Sequence, residues 1–269
     1  MPPPIALTIA GSDSSAGAGI QADLKTFTAL GLYGLTAVTC VVSETPLLVS
    51  KVHPIPPVIL QDQIKLLLSS YPVAAIKTGM LYSKAHIVAV CELLQDVKVP
   101  IVVDPVMVAS TGDPLLVEDA LDAIAERLLP LATVITPNIP EAALLLGRSI
   151  ETAQEQEDAA KELSEKYKVA CYLKGGHLEL DNVHRDLLAT GEDLEAFDAP
   201  HLDLPQSHGT GCTFAAALTA GLAEGLSIPD ASRRAHQFTQ RALRGSMQWT
   251  VPGSKQTINH LDQSQSGRP

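Results

Sequence analysis

The amino-acid sequence predicts one α/β domain with a mainly parallel central sheet and an antiparallel edge. Short aliphatic segments that suit buried strands alternate with segments of helical periodicity, which is typical of a parallel sheet flanked by helices. Beyond Lys174 the alternation stops, and two strand-like segments flank a turn. The 269 residues are 46% hydrophobic and 18% charged, and no linker-like stretch interrupts them. We therefore expect residues 1–269 to form a single domain.

The predicted parallel strands are short, aliphatic and bounded by Gly, Pro, Asp or Asn. In chain order they are Ile5–Ala10, Leu35–Val42, Ala74–Ile76, Ile101–Val103, Val134–Ile135 and Ala170–Leu173. The predicted helices carry apolar residues three and four positions apart. They are Ile20–Leu30, Val58–Leu68, Lys84–Leu94, Asp119–Leu128, Glu155–Tyr167, Cys212–Glu224 and Pro229–Gly245. Two hairpin strands, Val183–Leu188 and Leu194–Phe197, supply the antiparallel edge, and the polar tail after Thr250 is expected to fray.

The charge of the chain limits the partners that it attracts. A formal net charge of -11 disfavours nucleic acid and anionic membrane surfaces, because both are bound by basic patches. The sequence shows neither a basic segment followed by an apolar one at its start nor an apolar run that spans a bilayer. Cys40, Cys91 and Cys171 lie in apolar segments and are expected to be reduced and buried. These features predict a cytoplasmic protein with small-molecule partners.

The residues that follow the predicted strands are small, polar or charged. They are Gly11-Ser12-Asp13, Ser43-Glu44, Thr78-Gly79-Met80, Asp104-Pro105, Thr136-Pro137-Asn138 and Lys174-Gly175-Gly176. In open α/β sheets, ligands bind beyond the carboxyl ends of the parallel strands. The sequence therefore predicts a ligand site at this edge of the sheet.

A glycine-rich segment, Ser207-His208-Gly209-Thr210-Gly211-Cys212, precedes a strongly apolar predicted helix. Glycines at a helix N-terminus leave backbone N–H groups uncovered, and these groups favour an anion together with the helix dipole. The same dipole favours a thiolate, so we expect Cys212 to be an acidic active-site thiol. The alternative is a glycine-rich helix cap with an inert thiol.

Four residues at the predicted rim complete a set suited to phosphoryl transfer. If a helix starts at Pro140, Asn138 and Glu141 face the same way, with a spacing that suits hydrated Mg²⁺. Asp104 and Lys174 add a carboxylate and an ammonium group. Such groups, together with an anion hole, neutralise the charge of a transferring phosphate. Each residue alone also has an ordinary structural explanation, and their combination indicates a kinase.

Seven motifs run in order through nearly the whole chain. They are Ile5-Ala6-Leu7-Thr8-Ile9-Ala10-Gly11-Ser12-Asp13, Ala16-Gly17-Ala18-Gly19-Ile20-Gln21-Ala22-Asp23-Leu24-Lys25, Val103-Asp104-Pro105-Val106-Met107, Gly112-Asp113-Pro114-Leu115-Leu116, Thr136-Pro137-Asn138, Lys174-Gly175-Gly176-His177 and His208-Gly209-Thr210-Gly211-Cys212. Together they resemble the motifs of the hydroxymethylpyrimidine/phosphomethylpyrimidine kinases of thiamin biosynthesis. The resemblance implies a ribokinase-like α/β/α sandwich, commonly a homodimer. It also implies that MgATP phosphorylates hydroxymethylpyrimidine and then its monophosphate.

The resemblance implies a role for each matched residue. The implied catalytic residues are Cys212, which would activate the substrate hydroxyl, Gly209 and Gly211 of the anion hole, and Lys174. The implied residues of the pyrimidine pocket are Gly11, Ala18, Asp23, Glu44, Met80 and Val106. The implied nucleotide and phosphate ligands are Asp104, Asn138, Lys174 and Thr210, and Asn138 and Glu141 would organise Mg²⁺ through water.

Four departures from the family pattern bear on the pocket shape and on the second phosphorylation. They are Thr45-Pro46-Leu47-Leu48 in place of a glycine-containing turn, Ala16 where glycine is common, Ser110 where some members carry lysine, and Pro252–Gln256 in place of a Gly- and His-rich run.

Two other functions stay open. A pyridoxal or pyridoxine kinase shares the fold and the phosphate chemistry, and Glu44 is the discriminating residue. A carboxylate accepts a hydrogen bond from an aminopyrimidine but repels the phenolic oxygen of pyridoxal. Alternatively, Glu44 caps the loop or pairs with Lys51 at the surface. The second alternative is a non-catalytic pyrimidine-binding protein, against which the set of charged rim residues argues.

Overall fold

A nine-stranded sheet organises the computed structural model of the chain, which describes residues 2–107, 120–176, 183–202, 204 and 207–264. A smaller, three-stranded sheet contains the C-terminal strands. The strands are β1 (Ile5–Asp13), β2 (Tyr33–Thr45), β3 (Leu48–Pro54), β4 (Val73–Thr78), β5 (Ile101–Val103), β6 (Val134–Ile135), β7 (Ala170–Leu173), β8 (Val183–Thr190), β9 (Asp193–Pro200), β10 (Ser207–His208), β11 (Met247–Thr250) and β12 (Thr257–His260).

The large sheet has the strand order β3-β2-β1-β4-β5-β6-β7-β8-β9. Neighbouring strands from β2 to β7 in this order run parallel. Strand β3 is antiparallel to β2, and the β8–β9 hairpin is antiparallel to β7. The predicted α/β fold with a mainly parallel sheet and an antiparallel edge is therefore confirmed. Because β1 lies between β2 and β4, the chain leaves β1 at a point where the strand order reverses and a crevice opens.

Helices cover both faces of the sheet. They are α1 (Gly19–Ala29), α2 (Pro57–Ser70), α3 (Lys84–Leu94), α4 (Ala120–Ala123), α5 (Ile139–Leu146), α6 (Ala153–Tyr167), α7 (Thr210–Ala223) and α8 (Ile228–Arg244). Helix α7 packs against both α1 and α8 on one face, whereas α2 packs against α3 and α5 against α6. Each face has its own core cluster, one containing Ile64, Ile87 and Leu163 and the other containing Tyr172 and Phe214.

Helix α7 is the central helix of its layer. All its residues from Thr213 to Leu222 are buried, and most of them are small. Small side chains let the helix lie close to the sheet and to α8, where a Cβ added at Gly221 would lie 2.8 Å from Ala231 Cβ. This packing fixes the N-terminus of α7 at the carboxyl edge of the parallel strands.

Two segments differ from the sequence-based expectation. Strand β3 was not predicted: the departure Thr45-Pro46-Leu47-Leu48 includes the turn into it, and it forms a second antiparallel edge. The tail after Thr250 was predicted to fray, and this was wrong for Thr257–His260, which form β12 between β10 and β11. Polar residues interrupt both strands, Ser50, Lys51 and His53 in β3 and Thr257, Asn259 and His260 in β12, so neither shows the continuous aliphatic segment on which strands were predicted.

Local backbone geometry explains one further departure. Ala16 has φ 60°, in the left-handed region where glycine is favoured because it has no Cβ. The predicted helix Asp119–Leu128 is described from Ala120, and it continues as a π-helical turn and a 3₁₀ turn to Leu131. Ser110, Asp119, His177 and the motif Gly112–Leu116 lie outside the described residues.

Within the described ranges, none of the helices combines the length and the apolar character that crossing a bilayer requires.

Candidate active site

A cavity of about 730 Å³ opens at the carboxyl ends of the parallel strands. This volume suits a small molecule. It is lined by every sequence-predicted site residue except Asp23, namely Gly11, Ala18, Glu44, Met80, Asp104, Val106, Asn138, Glu141, Lys174, Gly209, Thr210, Gly211 and Cys212. The structure thus brings together residues that lie up to about 200 positions apart in the chain.

The predicted anion hole lies where α7 begins. Gly209 has φ 87°, and a Cβ there would lie 1.8 Å from the carbonyl oxygen of Gly17, so no other residue fits without displacing the backbone. A Cβ at Gly211 would lie 3.0 Å from Lys174 Nζ. Gly209 therefore lets the start of α7 lie against the backbone of Gly17, and Gly211 keeps open a space that is bordered by helix N–H groups and by an ammonium group. Such a space suits the phosphates of ATP.

Lys174 and Asp104 form an ion pair beside this space. Lys174 Nζ donates to Asp104 Oδ1 at 2.9 Å, and the Thr136 hydroxyl donates to the same oxygen at 3.0 Å. Burial alone would raise the pKa of Asp104, but the charges of Lys174 and Lys77 lower it. Burial would lower the pKa of Lys174, but Asp104 and Glu141 raise it. Both groups are therefore charged at neutral pH.

Asn138 and Glu141 form a capping box at the start of α5. Asn138 Oδ1 accepts a hydrogen bond from the N–H of Glu141, and Glu141 Oε2 accepts one from the N–H of Asn138. Burial raises the pKa of Glu141 to about 7, and Asp104 adds to this, whereas Lys174 opposes it. Because backbone N–H groups already occupy these oxygens, the pair fits a hydrated Mg²⁺ better than direct ligation. The helix start at Pro140 that the sequence suggested is off by one residue, since α5 begins at Ile139.

Asp23 lies beneath the cavity rather than in its wall. Lys77 Nζ donates to both of its carboxylate oxygens, at 2.9 and 3.1 Å, and the Thr8 hydroxyl donates to Oδ2 at 2.6 Å. Burial alone would lower the pKa of Lys77, but the charge of Asp23 raises it. The implied role of Asp23 is thus one of support through Lys77, which itself lines the cavity. Sequence reasoning missed Lys77, although a lysine inside the apolar segment of β4 was a visible signal.

Glu44 faces the cavity and forms a cluster with Asp13 and His208. One side-chain ligand atom from each of the three lies within 4.8 Å of the others. Burial raises the pKa of Glu44 to about 7, the charge of Asp13 adds to this, and His208 opposes it. Lys51, the alternative partner of Glu44, is not among the described ion pairs. In the sheet, Lys51 of β3 lies opposite Ser43 of β2. The position of Glu44 thus agrees with contact to a ligand.

Cys212 lies in the first turn of α7, in the cavity wall, as the sequence predicted. The predicted acidity of its thiol was wrong. Burial raises the pKa of Cys212 to about 11, the charge of Lys77 opposes this, and the carboxylates of Asp23 and Asp104 add to it. Sequence reasoning considered the helix dipole alone, whereas the fold places two aspartates close to the sulfur.

The other half of the cavity was not predicted from the sequence. It is lined by apolar side chains together with polar residues of β8 and α8, namely His184, Asp186, Pro200, Leu202, Leu204, Phe214, His236, Thr239, Gln240 and Leu243. The ring of Tyr172 stacks on that of Phe214, and the Tyr172 hydroxyl donates a hydrogen bond to Asp186 Oδ2 at 3.1 Å. These residues come from segments that show no motif, so only the fold reveals that they share a wall.

Comparison with known proteins adds to this geometry. The chain matches the family model described as phosphomethylpyrimidine kinase over residues 13–257. A Streptomyces coelicolor protein named hydroxymethylpyrimidine/phosphomethylpyrimidine kinase is 42% identical over 90% of this chain and 89% of its own. The thiamine biosynthesis bifunctional protein ThiED of Geobacter sulfurreducens is 43% identical over 88% of this chain, which spans 49% of the length of that relative.

Solved structures show the same similarity. A phosphomethylpyrimidine kinase from Clostridium difficile has a TM-score of 0.78 at 35% identity, over 88% of this chain and 98% of its own. A pyridoxal kinase from Bacillus subtilis, solved as an ADP complex, has a TM-score of 0.85 at 36% identity, over 97% of both chains. Kinases named for two different ring substrates therefore share this fold, which is ribokinase-like as predicted.

Proposed function

The chain belongs to the phosphomethylpyrimidine kinase family, and we propose that it uses ATP to phosphorylate hydroxymethylpyrimidine and then its monophosphate in thiamin biosynthesis. The observation that carries the proposal is that one cavity contains both Glu44 and the phosphate-binding set of Lys174 and the Gly209–Gly211 segment. A non-catalytic binding protein would need the ring pocket only. The charged set next to it supports catalysis.

The half of the cavity near β1 and β2 would hold the pyrimidine. Met80 and Val106 offer apolar contacts to a ring, and the Glu44 carboxylate accepts a hydrogen bond from an exocyclic amino group. The absence of a side chain at Gly11 lets β1 pack closely against Cys40 at the cavity floor, since a Cβ there would lie 3.0 Å from Cys40 Sγ. The ring would thus be bound by its polar edge and by its faces.

The half near α7 and α8 would hold ATP. The apolar side chains of Pro200, Leu202 and Leu243 suit the faces of an adenine base, and the start of α7 suits the phosphates. Mg²⁺, when it is bound with ATP, neutralises part of the phosphate charge. Asn138 and Glu141 would hold its water shell, and Lys174 would bind the oxygens of the transferring phosphoryl group.

Cys212 would contact the substrate hydroxyl. With a pKa of about 11 it is a thiol at neutral pH, so it accepts a proton only after it has lost its own. Lys77 is the nearby cation that favours the thiolate. The thiol would lose its proton to solvent before the substrate fills the cavity, and the resulting thiolate would accept the proton of the substrate hydroxyl as that oxygen attacks the phosphate.

Pyridoxal kinase activity is the second candidate, because the Bacillus subtilis pyridoxal kinase matches nearly the whole chain. The position of Glu44 favours the pyrimidine. A carboxylate pairs with an amino group and repels the phenolic oxygen of pyridoxal. Steady-state kinetics on both substrates decide between the two, and Glu44→Gln should lose pyrimidine activity and gain in relative preference for pyridoxal. An unchanged ratio of the two activities in Glu44→Gln would show that Glu44 is not the selector.

One experiment tests the main proposal directly. The purified protein is incubated with MgATP and either hydroxymethylpyrimidine or pyridoxal, and the products are identified by mass. We expect the monophosphate and then the diphosphate of the pyrimidine, and no turnover with excess chelator. If the protein consumed no ATP with either substrate, the proposal would be contradicted.

We also propose that the protein is a cytoplasmic homodimer, as the family resemblance and the acidic composition suggest. Light scattering after size-exclusion chromatography measures the mass, and the expected value is twice the 28.4 kDa of the chain.

A further inference from the structure

The C-terminal strand β12 is paired directly with the segment that precedes the anion hole. Ser207 lies in parallel register with Asn259, and His208 with His260. Asn259 is fully buried and Leu261 is 1% exposed. The segment that was predicted to fray is therefore packed next to Gly209.

His208 connects this pairing to a second loop of the cavity. Its Nε2 lies 2.9 Å from Asp13 Oδ2. Asp13 also accepts hydrogen bonds from the N–H groups of Ser15 at 2.6 Å, Gly17 at 3.0 Å and Ala18 at 2.8 Å. Asp13 is thus the point at which the loop after β1 and the segment before α7 are held together.

The contacts between these segments leave no room for a methyl group. A Cβ at Gly17 would lie 2.3 Å from His260 Nδ1 and 2.7 Å from His208 Cδ2. A Cβ at Gly209 would lie 1.8 Å from the carbonyl oxygen of Gly17. Three segments from distant parts of the chain therefore meet at one glycine.

Two further bonds hold the C-terminal segment in place. Gln263 Nε2 donates to the Thr213 hydroxyl on α7 at 3.2 Å, and the N–H of Asp262 donates to the carbonyl of Ala242 on α8 at 3.1 Å. The indole of Trp249 on β11 packs edge-on against the His260 ring, with centroids 5.8 Å apart. The C-terminal segment is thus fastened to both helices beside the cavity.

We propose that β12, through His260 and His208, sets the position of the Gly209–Gly211 anion hole relative to the loop after β1, so that Asp13, His208 and His260 are positioning residues for phosphoryl transfer. The inference rests on the proposed function of that segment as the anion hole. A phosphate bound there and a pyrimidine bound beside Ala18 must meet at reacting distance. A misplacement on the order of 1 Å is enough to cost about 10²-fold in rate.

The test uses the full-length chain and separates kcat from KM. The variant His260→Ala removes the ring against Gly17, and His208→Leu removes the donor to Asp13. We expect kcat to fall about 10²-fold in both, with KM for ATP unchanged in both and KM for the pyrimidine unchanged in His260→Ala, because positioning acts on the transition state. His208→Gln retains an N–H donor and should recover most of the rate. His53→Ala, in exposed β3, is the matched control with wild-type kinetics.

Three outcomes decide the matter. If His260→Ala, which alters a half-buried ring, folds and has wild-type kcat, the proposal is overturned even when His208→Leu fails to fold. A loss in kcat that His208→Gln does not recover would also overturn it. Gly211→Ala tests the anion hole itself, and full activity of that variant would contradict the proposed function of the segment. If Gly211→Ala loses activity while the histidine variants keep theirs, the anion hole stands and only the positioning role is contradicted.

Discussion

Two lysine–aspartate pairs lie at the floor of the cavity, and they differ in how completely each is closed. In both, the shortest N···O distance is 2.9 Å. The side chains of Lys77 and Asp23 are 0% exposed, whereas Lys174 is 17% exposed and Asp104 is 3% exposed. Lys77 bonds both oxygens of its partner, while Lys174 bonds one and lies next to Gly211. Lys77–Asp23 is thus a closed pair that stabilises the fold, and Lys174–Asp104 is an open pair that faces the cavity.

The largest effect is expected at the open pair. We predict that Lys174→Met lowers kcat about 10³-fold, because it removes a preorganised positive charge from the transferring phosphate. The loss of stability should be smaller, since Asp104 retains the Thr136 hydrogen bond and the nearby charge of Lys77. Steady-state kinetics and urea unfolding measure the two effects. The exposed Lys51→Met is the control, and a variant that unfolds but turns over normally would reverse the assignment.

The closed pair, Lys77–Asp23, should show a larger loss of stability than the open pair. We predict that Lys77→Met lowers the free energy of unfolding by about 3–5 kcal/mol, because it leaves the buried Asp23 carboxyl without its ion-pair partner. The double variant Lys77→Met/Asp23→Leu should recover much of this loss, since neither charge is then buried. Urea unfolding of both variants is the measurement. A loss below about 1 kcal/mol in the single variant, the scale of an exposed pair, would show that the closed pair is not structural.

A third prediction extends the open pair to its neighbour Glu141. We expect Glu141→Ala to lower kcat about 10²-fold while leaving pyrimidine binding nearly unchanged, because its carboxylate acts on charge that develops during transfer. The variant also loses one bond of the α5 capping box. Glu155→Ala removes the equivalent bond from the capping box of α6 and so controls for the loss of the cap. Equal kcat values for the two variants would count against a role in metal binding.

The two pairs also show how far the sequence predicts the site. Lys174 and Asp104 each follow an aliphatic segment directly, so the rule that ligands bind beyond strand ends found both. Lys77 also follows its predicted segment, Ala74–Ile76, directly, but the rim residues of that strand were taken to begin at Thr78, so this lysine was passed over. The acidity of Cys212 was misjudged because the pKa of its thiol depends first on burial and then on the charges of Lys77, Asp23 and Asp104, which only the fold brings together.

The fold itself was predicted most closely where apolar periodicity is strong. The bounds of β5, β6, β7 and α3 agree with the structure to the residue. Strands β3 and β12 were missed because polar residues interrupt their aliphatic ones and because pairing with a neighbouring strand holds them in place. The half of the cavity that β8 and α8 line was missed because its residues lie in segments without a recognisable motif and come together only in the fold.

Glu44 is a cavity acid that has no lysine partner in the described ion pairs, and it gives the smallest and most specific prediction. Burial and Asp13 raise its pKa from 4.5 to about 7, so it changes charge within the working pH range. If the ionised carboxylate accepts the hydrogen bond of the pyrimidine amino group, KM for the pyrimidine should rise as the pH falls below about 7. The rise should approach tenfold per pH unit.

Protonation of Glu44 weakens binding of the pyrimidine but increases the stability of the folded protein. Between pH 4.5 and about 7 the folded state binds more protons at Glu44 than the unfolded state does, so the free energy of unfolding decreases as the pH rises through that range. Glu44→Gln should remove the slope in KM and flatten the slope in stability. The carboxyl of Glu141 has a similarly raised pKa and acts on turnover, so the measurement follows KM, and Glu141→Gln should retain the KM slope. A KM slope that persists in Glu44→Gln would assign the titration to the substrate or to another group, and Glu44 would then lose its role in binding the ring.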